Sequence, residues 1–89
     1  MGKYSVLIKP SAVKELERIP RKKDRQRIVE RISPLANDPR PHGSQKLSGK
    51  DRFRLRQGRY RIVYSIEDDA LVVYVINFGH RKDVYRGDW

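Results

Sequence analysis

The chain has 89 residues, enough for one compact domain with one modest core, and residues 1–89 are read as that single domain. Its 21 Lys and Arg against 11 Asp and Glu give a net charge of +10, which calls for a polyanionic partner: nucleic acid, an anionic membrane or an acidic protein. With no cysteine, disulfides, thiol catalysis and Cys-ligated metal are excluded, and His42 and His80 alone are too few for a His-rich metal site.

Residues Lys3–Lys9 alternate, with Tyr4, Val6 and Ile8 on one face, and predict a first strand stopped by Pro10. Ser11 stands where an N-cap belongs, and Ala12, Leu16 and Ile19 follow at helical spacing, so a short helix is expected over Ser11–Ile19. Pro20 ends it and suits the opening of a second, amphipathic helix over Arg21–Leu35, whose stripe is Ile28, Val29, Ile32 and Leu35. Asn37–Ser44 is rich in Asn, Pro and Gly and reads as a loop; His42 within it is given no role.

Three strands are predicted next. Asp51–Arg56 alternates Phe53 and Leu55 with Arg52, Arg54 and Arg56. Gln57-Gly58 turns the chain into Arg59–Ile66, where Tyr60, Ile62, Tyr64 and Ile66 share a face. After a turn at Glu67–Asp69, Ala70–Phe78 is apolar on both faces, as a central strand would be. The longest apolar run, Ala70–Ile76, falls far short of the roughly 20 residues of a membrane span, and no signal-peptide-like run begins the chain. A cytoplasmic protein without a membrane partner is expected. The order β-α-α-β-β-β predicts an α+β fold: an antiparallel sheet of about four strands with an N-terminal helical hairpin packed on one face.

If Phe53, Leu55, Ile62 and Tyr64 meet the helices, Arg52, Arg54, Arg56, Arg59 and Arg61 share the uncovered face, with no acid between Arg52 and Arg61. Arginine forks grip phosphate with two hydrogen bonds and stay charged at any working pH, but they are poor bases. Gly79–Arg86 forms a second basic cluster, in which Gly79 lets the chain bend, His80 can shuttle protons and Tyr85 can stack or pack. Trp89 either caps the core or extends that stacking surface. These parts suit RNA cleavage by the RNA's own 2′-hydroxyl, which needs alignment, charge stabilisation at phosphorus and protonation of the departing 5′-oxygen.

Four runs in order carry a resemblance: Gln45-Lys46-Leu47-Ser48-Gly49, then Arg52-Phe53-Arg54-Leu55-Arg56, then Gly58–Tyr64, then Gly79–Arg86. Over essentially its whole length, the chain resembles the RelE family of the RelE/ParE toxin superfamily. The resemblance implies a type II toxin–antitoxin toxin, an mRNA interferase that enters the ribosomal A site and leaves 2′,3′-cyclic phosphate and 5′-hydroxyl ends without metal or cofactor. By position, Arg61 matches the phosphate-stabilising arginine, Arg81 the leaving-group arginine and Tyr85 the codon-stacking tyrosine. Arg52 and Arg54 replace a lysine pair, so they are expected to hold the phosphate and lower the 2′-hydroxyl pKa, with His80 in reserve for proton transfer. Lys46, Arg56, Arg59, Lys82 and Arg86 complete the expected RNA contacts. The implied partners are a cognate acidic, RelB-like antitoxin, mRNA in the A site and, through the antitoxin, operator DNA. The antitoxin would cover the basic face with acids and lay apolar residues along the helices. The alternatives are a ParE-type gyrase poison, a non-catalytic RNA-binding module and a degenerate toxin.

Overall fold

The computed structural model describes residues 3–47 and 52–80, with the backbone alone of His80. In chain order it contains β1 (Ser5–Ile8), α1 (Pro10–Glu17), α2 (Lys22–Ile32), a 3₁₀ turn (Ser33–Ala36), β2 (Gln45–Lys46), β3 (Arg52–Gln57), β4 (Tyr60–Glu67) and β5 (Val72–His80). The helical hairpin and the α+β class are as predicted. The sheet differs: it has five described strands in the order β1-β5-β4-β3-β2 and is mixed, because β1 runs parallel to β5. Strands β3, β4 and β5 form an antiparallel meander, so β3 and β5 share a direction. The first strand enters beside the last, and the rest of the chain serves as the long crossover that a parallel pair requires. Thus β5 is an interior strand, while β4 takes the middle place.

Local chemistry sets the helix ends. Pro10 does more than stop β1: it occupies the first helical position, where its fixed φ fits and its missing N–H costs nothing. Lys9, not Ser11, is therefore the N-cap residue. α2 ends at Ile32, and the turn carrying Pro34 tightens to 3₁₀ geometry that still buries Leu35. Ile28 and Ile32, one turn apart, point inward; Val29, expected beside them, lies 46% exposed because a helix rotates it about 100° away. Arg25 donates to the Ile19 carbonyl, satisfying backbone at the elbow between the helices.

The core lies between the hairpin and one sheet face, where Ala12, Ile19, Ile28 and Ile32 meet Leu55, Ile62, Tyr64 and Phe78. β1 ends opposite Val75, so further along no described strand pairs with the outer edge of β5. There the Glu15 carboxylate of α1 accepts the Phe78 N–H at 3.0 Å and the Asn77 amide at 2.7 Å. Register between β4 and β5 shifts at Val63/Tyr64, so Ile76 is an extra residue on β5.

A surface clamp ties the 37–44 loop to the sheet. Asp68 accepts Arg40 Nη2 at 2.9 Å and Tyr4 Oη at 2.7 Å, and Arg40 lies 5.4 Å from the centre of the Phe53 ring. These hydrogen bonds, Arg40's first, hold the Asp68 carboxyl below the usual carboxylate range. A carboxyl depressed by folding adds stability above its unfolded pKa and gives it up as pH falls through the lower folded value. The protection of amides in residues 38–44, measured against their intrinsic exchange at each pH, is therefore expected to fall on acidification below the usual carboxylate range. Asp68→Asn should show the lower protection already at neutral pH, and identical protection profiles for both proteins would count against the clamp.

Candidate nucleic-acid interface

The strand register decides which arginines meet. Across β3 and β4, Leu55 is opposite Ile62 and Phe53 opposite Tyr64, and these face the helices. By alternation Arg52, Arg54, Arg56 and Arg61 project from the other face, with Arg56 directly opposite Arg61. Like charges facing one another across strands cost stability, a cost relieved when an anion lies between them. Arg59, expected to share this face, instead sits in the Gly58-Arg59 turn, exposed, and Gly58 takes the φ of 58° that such a tight turn needs.

Arg54, Arg56 and Arg61 line one cleft of about 290 Å³ together with Gln45, Gly43 and Leu55. Arg61 is 1% exposed, so its guanidinium attracts an anion with little solvent screening. On the β5 side its Cα partner is Gly79, which places no side chain beside it. Gly79 lies within β5, so the strand runs on where a bend was expected, and His80 closes it opposite Tyr60. Arg52 falls outside this cleft and lines a second one on the same sheet face. Lys46 is not brought to the arginines: its Cα partner is Phe53, on the helix side of the ladder. Arg81, Lys82, Tyr85 and Arg86, and the side chain of His80, all expected at the site, lie outside the described residues, as does Trp89.

Sequence reading missed Gln45. It stands opposite Arg54, and its Oε1 accepts Arg54 Nε at 2.9 Å and also Nη2, turning the fork's position into a fixed one. The signal was present, since Gln45 opens the motif run that was credited to Lys46. Only pairing with β3 reveals which of the two neighbours faces the cleft. Gln45→Ala is expected to weaken binding of a phosphate-bearing ligand in this cleft on the order of tenfold, with melting temperature unchanged, because the Arg54 fork is no longer held in place. An unchanged affinity would show that Arg54 needs no such support.

Among the described residues no cluster of His, Asp or Glu is arranged to hold a metal ion, and no helix is long and apolar enough to cross a membrane. The chemistry offered by the cleft is cationic: a pocket close to nucleotide size, with guanidinium groups on rigid paired strands.

Residues 6–85 match the family described as ParE toxin of type II toxin–antitoxin system, parDE. Toxin RelE of Mycobacterium tuberculosis is 31% identical over 84 residues, spanning 93% of this chain and 87% of that protein. Among solved structures, the toxin–antitoxin complex RelBE2 of M. tuberculosis matches with a TM-score of 0.77 at 26% identity, covering 91% of this chain and 94% of the matched chain. The archaeal RelE–RelB complex of Pyrococcus horikoshii OT3 matches with a TM-score of 0.76 at 28% identity, covering 89% and 96%.

Proposed function

Because the chain belongs to the ParE toxin family of type II toxin–antitoxin systems, with RelE toxins among its relatives, we propose that it is an mRNA interferase acting in the ribosomal A site. The observation that carries this reading is the convergence of Arg54, Arg56 and Arg61 on one cleft. RNA supplies its own nucleophile. The 2′-oxygen attacks the adjacent phosphorus, the bond to the 5′-oxygen breaks, and the products are a 2′,3′-cyclic phosphate and a 5′-hydroxyl. Water, metal and cofactor enter no step of this reaction.

In this mechanism Arg61 and Arg54 stabilise the extra negative charge as it develops on the phosphoryl oxygens, in a site already organised to receive it. Their charge also lowers the pKa of the 2′-hydroxyl, while Arg56 and Arg59 hold neighbouring phosphates. Arg81 assists the departing 5′-oxygen, Tyr85 stacks on the codon, Lys82 and Arg86 contact the backbone, and His80 carries the proton transfer that arginine performs badly. Both solved relatives above are complexes with antitoxins, and a net charge of +10 suits an acidic antitoxin as this chain's partner too. Operator DNA would be reached through that antitoxin, in the cytoplasm.

The test is mapping of RNA 5′-ends in a translating extract with ribosomes present or removed. New ends inside codons, only with ribosomes, are expected. Intact RNA with accumulating DNA breaks at gyrase sites would instead favour the gyrase-poison reading, which the ParE description of the matching family keeps in second place. RNA binding without cuts would leave a binding module or an inactive toxin.

A further inference from the structure

The sheet face away from the helices extends past the arginine cleft. Leu7, Tyr74, Ser65 and Arg52 are successive Cα partners on β1, β5, β4 and β3, and so form one row across four strands. Around this row lies a second cleft of about 330 Å³, lined by Lys9, Arg52, Ser65, Glu67, Tyr74 and Ile76. Tyr74 and Arg52 are half-buried on paired strands, and Lys9 and Glu67 are exposed at the margins. The bulge places Ile76 on β5 as an extra residue beside this row.

We propose that this cleft is a nucleotide subsite for single-stranded RNA, holding a base next to the one gripped in the arginine cleft. The inference rests on the RNA-cleaving reading above and adds a second binding position to it. Continuity supports it. Arg52 and Arg54 are two residues apart on β3 and project from the same face, about 7 Å from one another. One strand of phosphates can therefore pass from the first cleft to the second along a row of guanidinium groups. Cations alternating with an aromatic platform are what sequence-tolerant single-strand binding requires. Tyr74 supplies the ring, Ile76 an apolar wall, and Lys9 and Arg52 the charges for the phosphate.

Glu67 gives the subsite a preference. A carboxylate repels phosphate but accepts a hydrogen bond from an exocyclic amine, such as cytosine N4. With the Ser65 hydroxyl beside it, the cleft favours a base carrying an amine over uracil.

The experiment measures binding of the full chain to labelled 2′-O-methyl RNA, which cannot be cut, as a single nucleotide carrying 3′- and 5′-phosphates or as a hexamer. The single nucleotide fills the arginine cleft, the more cationic of the two, whereas a hexamer reaches both. Tyr74→Ala is expected to weaken hexamer binding about tenfold and leave the single nucleotide unchanged, with Tyr74→Phe restoring the affinity. Glu67→Ala should remove the preference of the hexamer site for oligo-C over oligo-U. Equal losses at both lengths, or no loss at either, would overturn the subsite while leaving the arginine cleft standing. Failure of the unaltered protein to bind either RNA would overturn the subsite, whereas the RNA-cleaving reading stands or falls on the mapping of RNA ends with ribosomes present.

Discussion

Replacing Arg61 by alanine is expected to lower codon cleavage in a translating extract by about 100- to 1,000-fold, the usual loss when one preorganised charge-stabilising donor is removed. The size of the effect follows from where Arg61 sits. Its side chain is 1% exposed and lines the cleft with Arg54 and Arg56, so no water can easily replace it. Arg61→Lys retains the charge without the planar fork and should recover only part of the rate. Folding is not expected to account for the loss. Removing a buried guanidinium opens a void but also relieves a desolvated charge facing Arg56, and these effects oppose one another. Lys23→Ala, exposed on the helical side of the molecule, serves as the matched loss of charge and should cut normally. If Arg61→Ala melts like the parent and cuts within a few-fold of its rate, the arginine cleft is not the reaction centre.

The second large effect is on stability. Tyr64 is fully buried, its ring stacks on Phe53 at 5.9 Å, and its hydroxyl donates to the Pro39 carbonyl at 2.9 Å. Burial also raises its pKa, so the phenol remains a donor across the working range. Truncating a buried aromatic to alanine costs about 3–5 kcal/mol, a large part of what an ordinary small domain possesses. Tyr64→Ala is thus expected to be largely unfolded at 37 °C or to melt at least ~12 °C lower, given about 4–8 °C per kcal/mol in a domain of this size. Tyr64→Phe loses only the hydrogen bond, about 1 kcal/mol, and should remain folded. Because Pro39 begins the stretch that leads to Gly43 and Gln45, that milder variant is also expected to cut more slowly at unchanged fold. Calorimetry and cleavage assays on the two variants separate these effects, and a Tyr64→Ala protein melting within a few degrees of the parent would refute the packing account.

Much of this was legible in the residues. Alternation in Arg52–Arg56 and in Tyr60–Ile66 was enough to put arginines on one face and apolar side chains on the other, since a strand's period of two leaves no other arrangement once one face is buried. Pro10, Pro20 and the amphipathic run to Leu35 marked two helices, and four ordered motif runs pointed to the toxin family. Local pattern was less reliable at the margins. Val29 was placed on the buried stripe because it is apolar, yet Ile28 and Ile32 already fill that stripe. Ser11 has the residue type of a cap, but Pro10 fits the first helical position and moves the N-cap to Lys9.

What the sequence determined by itself is therefore the inventory: which segments are strands or helices, which face of each is apolar, that the face away from the helices is cationic, and which family the chain resembles. Tertiary structure decided everything that depends on a neighbour distant in the chain. It put β1 parallel to β5, set Gln45 and not Lys46 beside Arg54, moved Arg59 out to a turn, and assigned Arg54 and Arg52 to different clefts. The reason is physical: hydrophobic periodicity is a property of one segment, whereas register and strand order are fixed by hydrogen bonds and packing between segments.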